Sequence, residues 1–295
     1  MPLHEPVLTR EVLASLQPEK GGVFVDCTVG MGGHALAMLQ AGATRVIGLD
    51  RDPAALAIAA QTLSAYGDRV ELVHSDYRGI ASVLDARGIA RIDGALADMG
   101  MSSYQLEAEG RGFSFQREDP LDMRMDTTSG PTAGELLRDA SESEIADAIY
   151  RFGEERFSRR IARSIVQTRE ASPLRSTGQL AAIVRRAIPQ RGFSRIDPAT
   201  RTFQALRIWV NRELEDIDKF LEAVTRRLKT GARLVMITFH SLEDRIVKHT
   251  LRALAQREDA SMRVLTKKPI TPQPDELDRN PRARSAKLRA AECMV

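Results

Sequence analysis

The chain, 295 residues long, predicts an α/β fold. The expected architecture is a parallel sheet covered by helices on both faces and interrupted by a mainly helical insertion. Three observations predict it. Apolar strands alternate with helical segments through the first hundred residues. From about 105 to 200 that rhythm stops and only helical patterns occur. It returns with one more apolar strand near 232. Apolar runs alternating with helices mark parallel strands buried on both faces, and helical residues lying between two such strands read as an inserted domain. The expected boundaries are 1–104 with 213–295 for the sheet domain and 105–212 for the insert.

Each element follows from its residues. VFVDCT (23–28) is a short apolar run that ends at a glycine-rich loop, and His34 to Ala41 is helical. RVIGLD (45–50) is a second strand, followed by a helix from Pro53 to Ala65 with its proline in the first turn, where the missing N–H costs nothing. RVELVHSD (69–76) and DGALAD (93–98) are the third and fourth strands. The insert carries helical patterns at SESEIADAIYRF, EERFSRRIARSIVQTRE and TGQLAAIVRRAI. A long helix is expected from Pro198 to about Lys229, stopped by Gly231. ARLVMITF (232–239) is a fifth buried strand and RIVKHTLRALAQRE a helix, after which MRVLTKK and SAKLRAAE form a closing antiparallel pair. The segment LTKKPITPQPDELDRNPRARSAK, with four prolines, reads as an ordered surface excursion.

Composition narrows the class. Apolar residues make up 43%, enough for a sizeable core and against wholesale disorder. Cys27 and Cys293 lack metal-ligand spacing, no disulfide is expected, and this usage suits a reducing cytoplasm. No metal site is expected. The N-terminus has no signal-peptide pattern, and no apolar stretch is long enough to span a membrane. The net charge of +3 hides a strong asymmetry. Residues 101–150 carry 4 basic and 11 acidic side chains, whereas residues 151–212 carry 14 Arg, no Lys and 4 acids. Residues 279–295 are basic again, 5 to 1. Two basic regions beside acidic ones suggest a polyanion partner, and guanidinium forks suit phosphate oxygens. The ordinary alternative is that Arg is a good helix former on solvated faces.

The loop DCTVGMGGHA (26–35) fits a dinucleotide fingerprint, with Gly30, Gly32 and Ala35 at its small-residue positions. Asp50, Asp76 and Asp98 end three successive predicted strands at one sheet edge, the edge where open parallel sheets bind ligands. Asp50, 20 residues beyond Gly30, stands where an acid binds ribose hydroxyls. That spacing does not separate NAD from S-adenosylmethionine. Asp26 and Asp98 weigh toward the latter, because carboxylates beside the loop repel a pyrophosphate and suit a sulfonium and an ammonium. Glycine and aspartate also populate strand ends as plain turn chemistry. A nicotinamide-dependent oxidoreductase, a non-catalytic RNA-binding module and an enzyme acting on DNA stand as the competing readings.

More specific stretches follow: HEPVL (4–8), GMGGH (30–34), GLDRDP (48–53), DMGMSSYQL (98–106), RGFSF (111–115), PLDMRMD (120–126), FHSLEDRIVK (239–248) and NPRARSAKLR (280–289). In these pieces and their order the chain resembles the S-adenosyl-L-methionine-dependent 16S rRNA cytidine-N(4) methyltransferase family. The resemblance implies a Rossmann-like class I methyltransferase sheet with an inserted substrate-recognition domain. It implies methylation of the exocyclic 4-amino group of a cytidine in the decoding region, at the P site, of small-subunit ribosomal RNA, with an assembled or nearly assembled subunit the expected substrate and free RNA left open. It implies donor contacts at Gly32, Gly33 and His34, at Asp50 on the ribose, at Tyr77 beside the adenine, and at Asp98 and Gln105. Met99 and Met101 depart from the family's usual Leu and Val, a volume-tolerant apolar change. Whether the chain forms a homodimer is left open.

The cytosine amine is a poor nucleophile, so an acceptor for its hydrogens and an in-line approach are needed. Many exocyclic-amine methyltransferases use an Asp/Asn-Pro-Pro-aromatic turn after the fourth strand. Here that turn is Asp98-Met99-Gly100-Met101, with the acid present and the prolines and aromatic absent. Asp98 is the candidate catalytic residue, facing either the substrate amine or the donor's ammonium. Tyr104, Phe113 and Phe115 are candidates to stack on the base, or else belong to the insert's core. FHSLEDR follows the fifth strand without the spacing of a zinc helix or the glycines of a serine elbow. His240 and Ser241 are expected to form a second wall of the substrate site, and Arg185, Arg186, Arg159 and Arg160 to meet phosphates. Asn280 to Arg289 is an RNA contact or a sheet-closing segment.

Overall fold

The computed structural model describes residues 6–189, 197–257 and 261–295. His4 and Glu5 of the HEPVL stretch, and Arg191 and Arg195 of the insert's arginines, lie outside the described residues. The chain divides into two compact units, Met1–Gly100 with Asp216–Val295, and Met101–Glu215.

The first unit holds α1 (Thr9–Leu16), β1 (Val23–Asp26), α2 (Gly33–Ala41), β2 (Arg45–Asp50), α3 (Pro53–Thr62), β3 (Val70–His74), α4 (Ile80–Asp85) and β4 (Ile92–Asp98). The second unit holds α5 (Ser103–Glu107), α6 (Ala133–Asp139), α7 (Glu142–Gly153), α8 (Ser158–Ala171), α9 (Thr177–Ala187) and α10 (Ala199–Asn211). The chain then returns to the first unit with α11 (Ile217–Thr225), β5 (Leu228–Thr238), α12 (Ser241–Ala255), β6 (Met262–Val264), α13 (Pro274–Arg279) and β7 (Lys287–Cys293). The sheet order is β3-β2-β1-β4-β5-β7-β6. β1 to β5 run parallel, and β7 is antiparallel to both β5 and β6. Strand order reverses between β1 and β4, which sets the ligand crevice at the carboxyl ends of those two strands. The apolar strands are buried as their composition requires: Val25, Ile47, Leu49, Ala95, Leu96, Val235 and Ile237 expose no surface.

Three expectations fail here for local reasons. The long helix from 198 to 229 does not exist. It breaks between α10 and α11, where Arg212 and Asp216 adopt left-handed φ of 52° and 57°. Gly231 does not stop a helix either. It sits inside β5 at φ 81°, where the register slips between the pairs Ile92↔Leu228 and Gly94↔Arg233, as a bulge requires. The third strand also stops early, at His74.

The second unit is helical, with a core that includes Leu121, Met123, Ile145, Ile149, Ile161 and Ile165. Three of its helices open with reciprocal capping boxes, Ser102 with Gln105, Thr132 with Glu135 and Ser141 with Glu144. The PLDMRMD loop is pinned from α10, where buried Asn211 accepts from Met125 N at 2.7 Å and donates to Met123 O at 2.7 Å.

Candidate active site

The crevice between β1 and β4 is built from their last residues. Asp26 ends β1, Asp98 ends β4, and the glycine loop leads from β1 into α2. Thr28 Oγ1 accepts from Asp98 N at 2.7 Å and so ties the two strand ends together. Gly30 and Gly32 sit at φ 53° and 90°, in the left-handed region that costs glycine nothing. The Asp50 carboxylate holds that loop from β2. Its Oδ2 accepts from Gly30 N at 2.8 Å and its Oδ1 from Asp52 N at 2.8 Å. Asp52 in turn caps α3, its Oδ1 accepting from Ala54 N at 3.0 Å.

His34 lies in the first turn of α2 and places its Nε2 3.6 Å from Asp98 Oδ2. Asp26 is 1% and His34 6% exposed. Among the described residues, Asp26 Oδ2, Asp98 Oδ1 and both ring nitrogens of His34 have no hydrogen-bond partner. Buried polar groups are rarely left so, because each unmet group costs about 1–3 kcal/mol. The electrostatics agree. Burial pushes the Asp26 pKa up to about 7, against the opposing pull of His34 and a hydrogen bond from Thr28 N, with Asp98 and Asp50 adding repulsion. Burial likewise pushes Asp50 up to about 6, held back by the bonds from Asp52 N and Gly30 N. A crevice of crowded carboxylates with unmet oxygens fits a cationic, polar ligand, and the sulfonium and ammonium of S-adenosylmethionine meet that description.

Other expected residues have different surroundings. Asp76 lies two positions past β3 and caps the short turn after it. Desolvation is outweighed there by Arg78 and Arg51, which keep its pKa low. Arg78 Nε donates to Oδ1 at 2.7 Å, and Arg51 lies 3.4 Å from Oδ2. Asp76 is therefore not a third strand-end acid. Tyr77 is 8% exposed, with its ring edge-on to Phe220 at 4.8 Å. Gln105, in the second unit, caps α5, donating its backbone N–H to Ser102 Oγ and accepting from Ser102 N at 3.0 Å. Phe113 lies in the helical unit's core, and Phe115 packs edge-on to Phe203 at 4.9 Å. Tyr104 is half-buried.

His240 caps α12, and its Nε2 lies 3.1 Å from Oε1 of fully buried Glu243, whose other oxygen accepts from Phe239 N. Ser241, the first residue of α12, is exposed. Asp244, beside it, pairs with Arg289 of β7 at 2.6 and 3.1 Å. Burial opposes the charge, but the Arg289 bonds win and hold the Asp244 carboxyl below its usual range. The Lys287–Arg289 end of the basic motif thus closes the sheet. Arg185 is held by Asp197 at 2.7 Å, whereas Arg186, Arg159 and Arg160 are exposed. Thr28 is the site residue that the strand–helix rhythm passes over, and a hydroxyl between a strand and its glycine loop is the signal that marks it.

The strand order, the antiparallel β7 and the carboxylate-edged glycine loop define a Rossmann-like class I methyltransferase. Comparison with known proteins reaches the family. The model of the MraW methylase family matches residues 1–294, and the chain belongs to that family. It is 52% identical to ribosomal RNA small subunit methyltransferase H of Sorangium cellulosum over 98% of this chain and 90% of that one. Its identity to the protein of the same name from a Cyanothece species is 52%, over 98% and 94% of the two chains. For the Nitrobacter winogradskyi protein of that name it is 49%, over 98% and 90%. The enzyme is a methyltransferase, and S-adenosylmethionine is its methyl donor. Among the described residues no helix is long and apolar enough to cross a membrane.

Proposed function

We propose that this enzyme methylates the exocyclic 4-amino group of a cytidine in the decoding region of small-subunit ribosomal RNA. The observation that carries the reading is the crevice between β1 and β4, where Asp98, Asp26 and His34 keep unmet polar atoms beside the glycine loop. The names of relatives that the chain matches over nearly its whole length support the RNA substrate.

In this reading Gly32 and Gly33 admit the donor's methionine portion to the loop backbone. Asp50 accepts from the ribose hydroxyls with the lone pairs its two backbone bonds leave over, and Tyr77 flanks the adenine. Gln105 is a further donor contact. When bound, the donor supplies an electrophilic methyl on a sulfonium. The chain's own groups do the rest. Asp98 accepts from the cytosine amine, orients its nitrogen and draws electron density toward it. As the nitrogen–methyl bond forms, one amine proton must leave, and Asp98 with His34 beside it offers a place for it. The arginines of the helical unit, with Arg186, Arg159 and Arg160 exposed, hold phosphates. His240 and Ser241 contribute to the substrate site from the start of α12.

The substrate is an assembled or nearly assembled small subunit, and the enzyme works in the cytoplasm, alone or as a homodimer. Nucleoside mass analysis of ribosomal RNA from cells with and without the protein tests this. Loss of one N4-methylated cytidine from the small-subunit RNA is expected, and an unchanged nucleoside profile refutes it.

A further inference from the structure

The excursion between β6 and β7 carries more charge than closing the sheet requires. Asp98 pairs in register with Ile237, and Ile237 with Leu288. Adjacent strands lie about 4.8 Å apart, so the start of β7 is about 10 Å across the sheet edge from Asp98. Thr238 pairs with Lys287 one step further toward that edge. An isolated bridge, Ile270↔Leu288, ties the first part of the excursion to the start of β7. Lys267, Lys268 and Arg284 are exposed on this segment, and among the described residues none of them has an ion pair or hydrogen-bond partner. The segment's acids do little to neutralise them. Asp275 is taken by Arg10 and Arg279 at 3.2 and 3.3 Å, and Glu276 accepts from Leu8 N. Asp278 is the one exposed carboxylate among the described residues of this segment without such a partner.

We propose that Lys267, Lys268 and Arg284 form a contact for the RNA phosphate backbone on the methyltransferase unit itself, gripping the strand that flanks the reacting base. The inference rests on the RNA reading above and adds a surface distinct from the arginine-rich helices. Arg284 lies three residues before β7 starts, Lys267 and Lys268 lie on the stretch leading to Ile270 on the far side of β7, and a base held at Asp98 would carry its neighbouring phosphates along this edge of the sheet. The extended stems of Lys and Arg cover several ångströms of that gap. Contacts of this kind position the strand without reading its sequence.

The test uses the full chain, a fluorescein-labelled single-stranded fragment of small-subunit ribosomal RNA, and the triple variant Lys267→Glu, Lys268→Glu, Arg284→Glu. A second variant with Gln at the same positions guards against misfolding. RNA affinity should fall at least tenfold in the Glu variant. The slope of log affinity against log salt should shrink by about two, at ~0.7 for each lost phosphate contact. Donor affinity and melting temperature should not change. A control with Lys219→Glu and Arg226→Glu on α11 alters net charge elsewhere, and an equal loss there overturns the proposal. Wild-type enzyme that methylates the RNA while both triple variants bind it unchanged overturns this inference and leaves the substrate reading standing. Wild-type enzyme that neither binds nor methylates RNA overturns both.

Discussion

Asp50→Asn should move stability and donor affinity in opposite directions. Asp50 accepts two backbone hydrogen bonds, yet burial wins and carries its pKa from 3.8 to about 6. A carboxyl that holds its proton more tightly folded than unfolded favours the fold at low pH. That contribution is lost as pH rises from the unfolded pKa through the folded one. A shift of about two units, at ~1.4 kcal/mol each, makes the folded carboxylate cost ~3 kcal/mol above that window. Asparagine has no charge to bury, but it keeps only one acceptor oxygen and loses a loop bond worth about 1 kcal/mol. The net expectation at pH 7.5 is a protein stabilised by ~0–2 kcal/mol, a rise of a few degrees in melting temperature. Donor affinity should fall by one to two decades, because a charged acceptor on the ribose is worth ~1.5–3 kcal/mol. Thermal melting at pH 5 and 7.5, with calorimetric titration of the donor, reads both. Unchanged donor affinity refutes the ribose assignment. A fall in stability beyond ~3 kcal/mol refutes the electrostatic reasoning and makes Asp50 a loop anchor only.

Three further outcomes are expected. Asp26, with its pKa near 7, should make the donor-free protein less stable as pH rises from about 4 to 7, and saturating donor should flatten that slope; a flat slope without donor contradicts the assignment. Arg289→Ala removes the bidentate partner of half-buried Asp244 and leaves it Lys287 at 3.8 Å, so melting should report a loss of ~1.5–3 kcal/mol, whereas a loss under ~1 kcal/mol would show that water takes the arginine's place. Arg159→Glu with Arg160→Glu should weaken RNA binding and reduce its salt slope by about one to two units, with donor binding unchanged, and an unaltered slope would make α8 a solvated face.

Much of the sheet was legible because burial on both faces leaves no room for polar residues. RVIGLD is β2 from its first residue to its last, and the apolar run after the insert is the heart of β5. The glycine loop was legible because left-handed backbone demands glycine. The break between α10 and α11 was not, since Arg212 and Asp216 take left-handed φ with no glycine or proline to announce it. Asp76 looked like its strand-end neighbours, and only the position of Arg78 and Arg51 separates it from them. His240 hid for the opposite reason. Ser, Thr, Asp and Asn are the usual helix caps, so a histidine with Glu243 three residues on drew attention as chemistry when it also closes a capping box. Phe113 and Phe115 show the limit of reading aromatics: the same rings suit a base or a core, and their neighbours decide.

The proposed function places methyl transfer at the end of β4, at Asp98. Single-turnover transfer of labelled methyl to small-subunit ribosomal RNA by Asp98→Ala, at saturating donor and with melting checked alongside, tests it most directly. A lost preorganised acceptor costs on the order of a hundredfold or more, so a well-folded variant should retain at most about one per cent of the wild-type rate. A well-folded Asp98→Ala enzyme transferring methyl at a near-normal rate would place the reacting centre elsewhere.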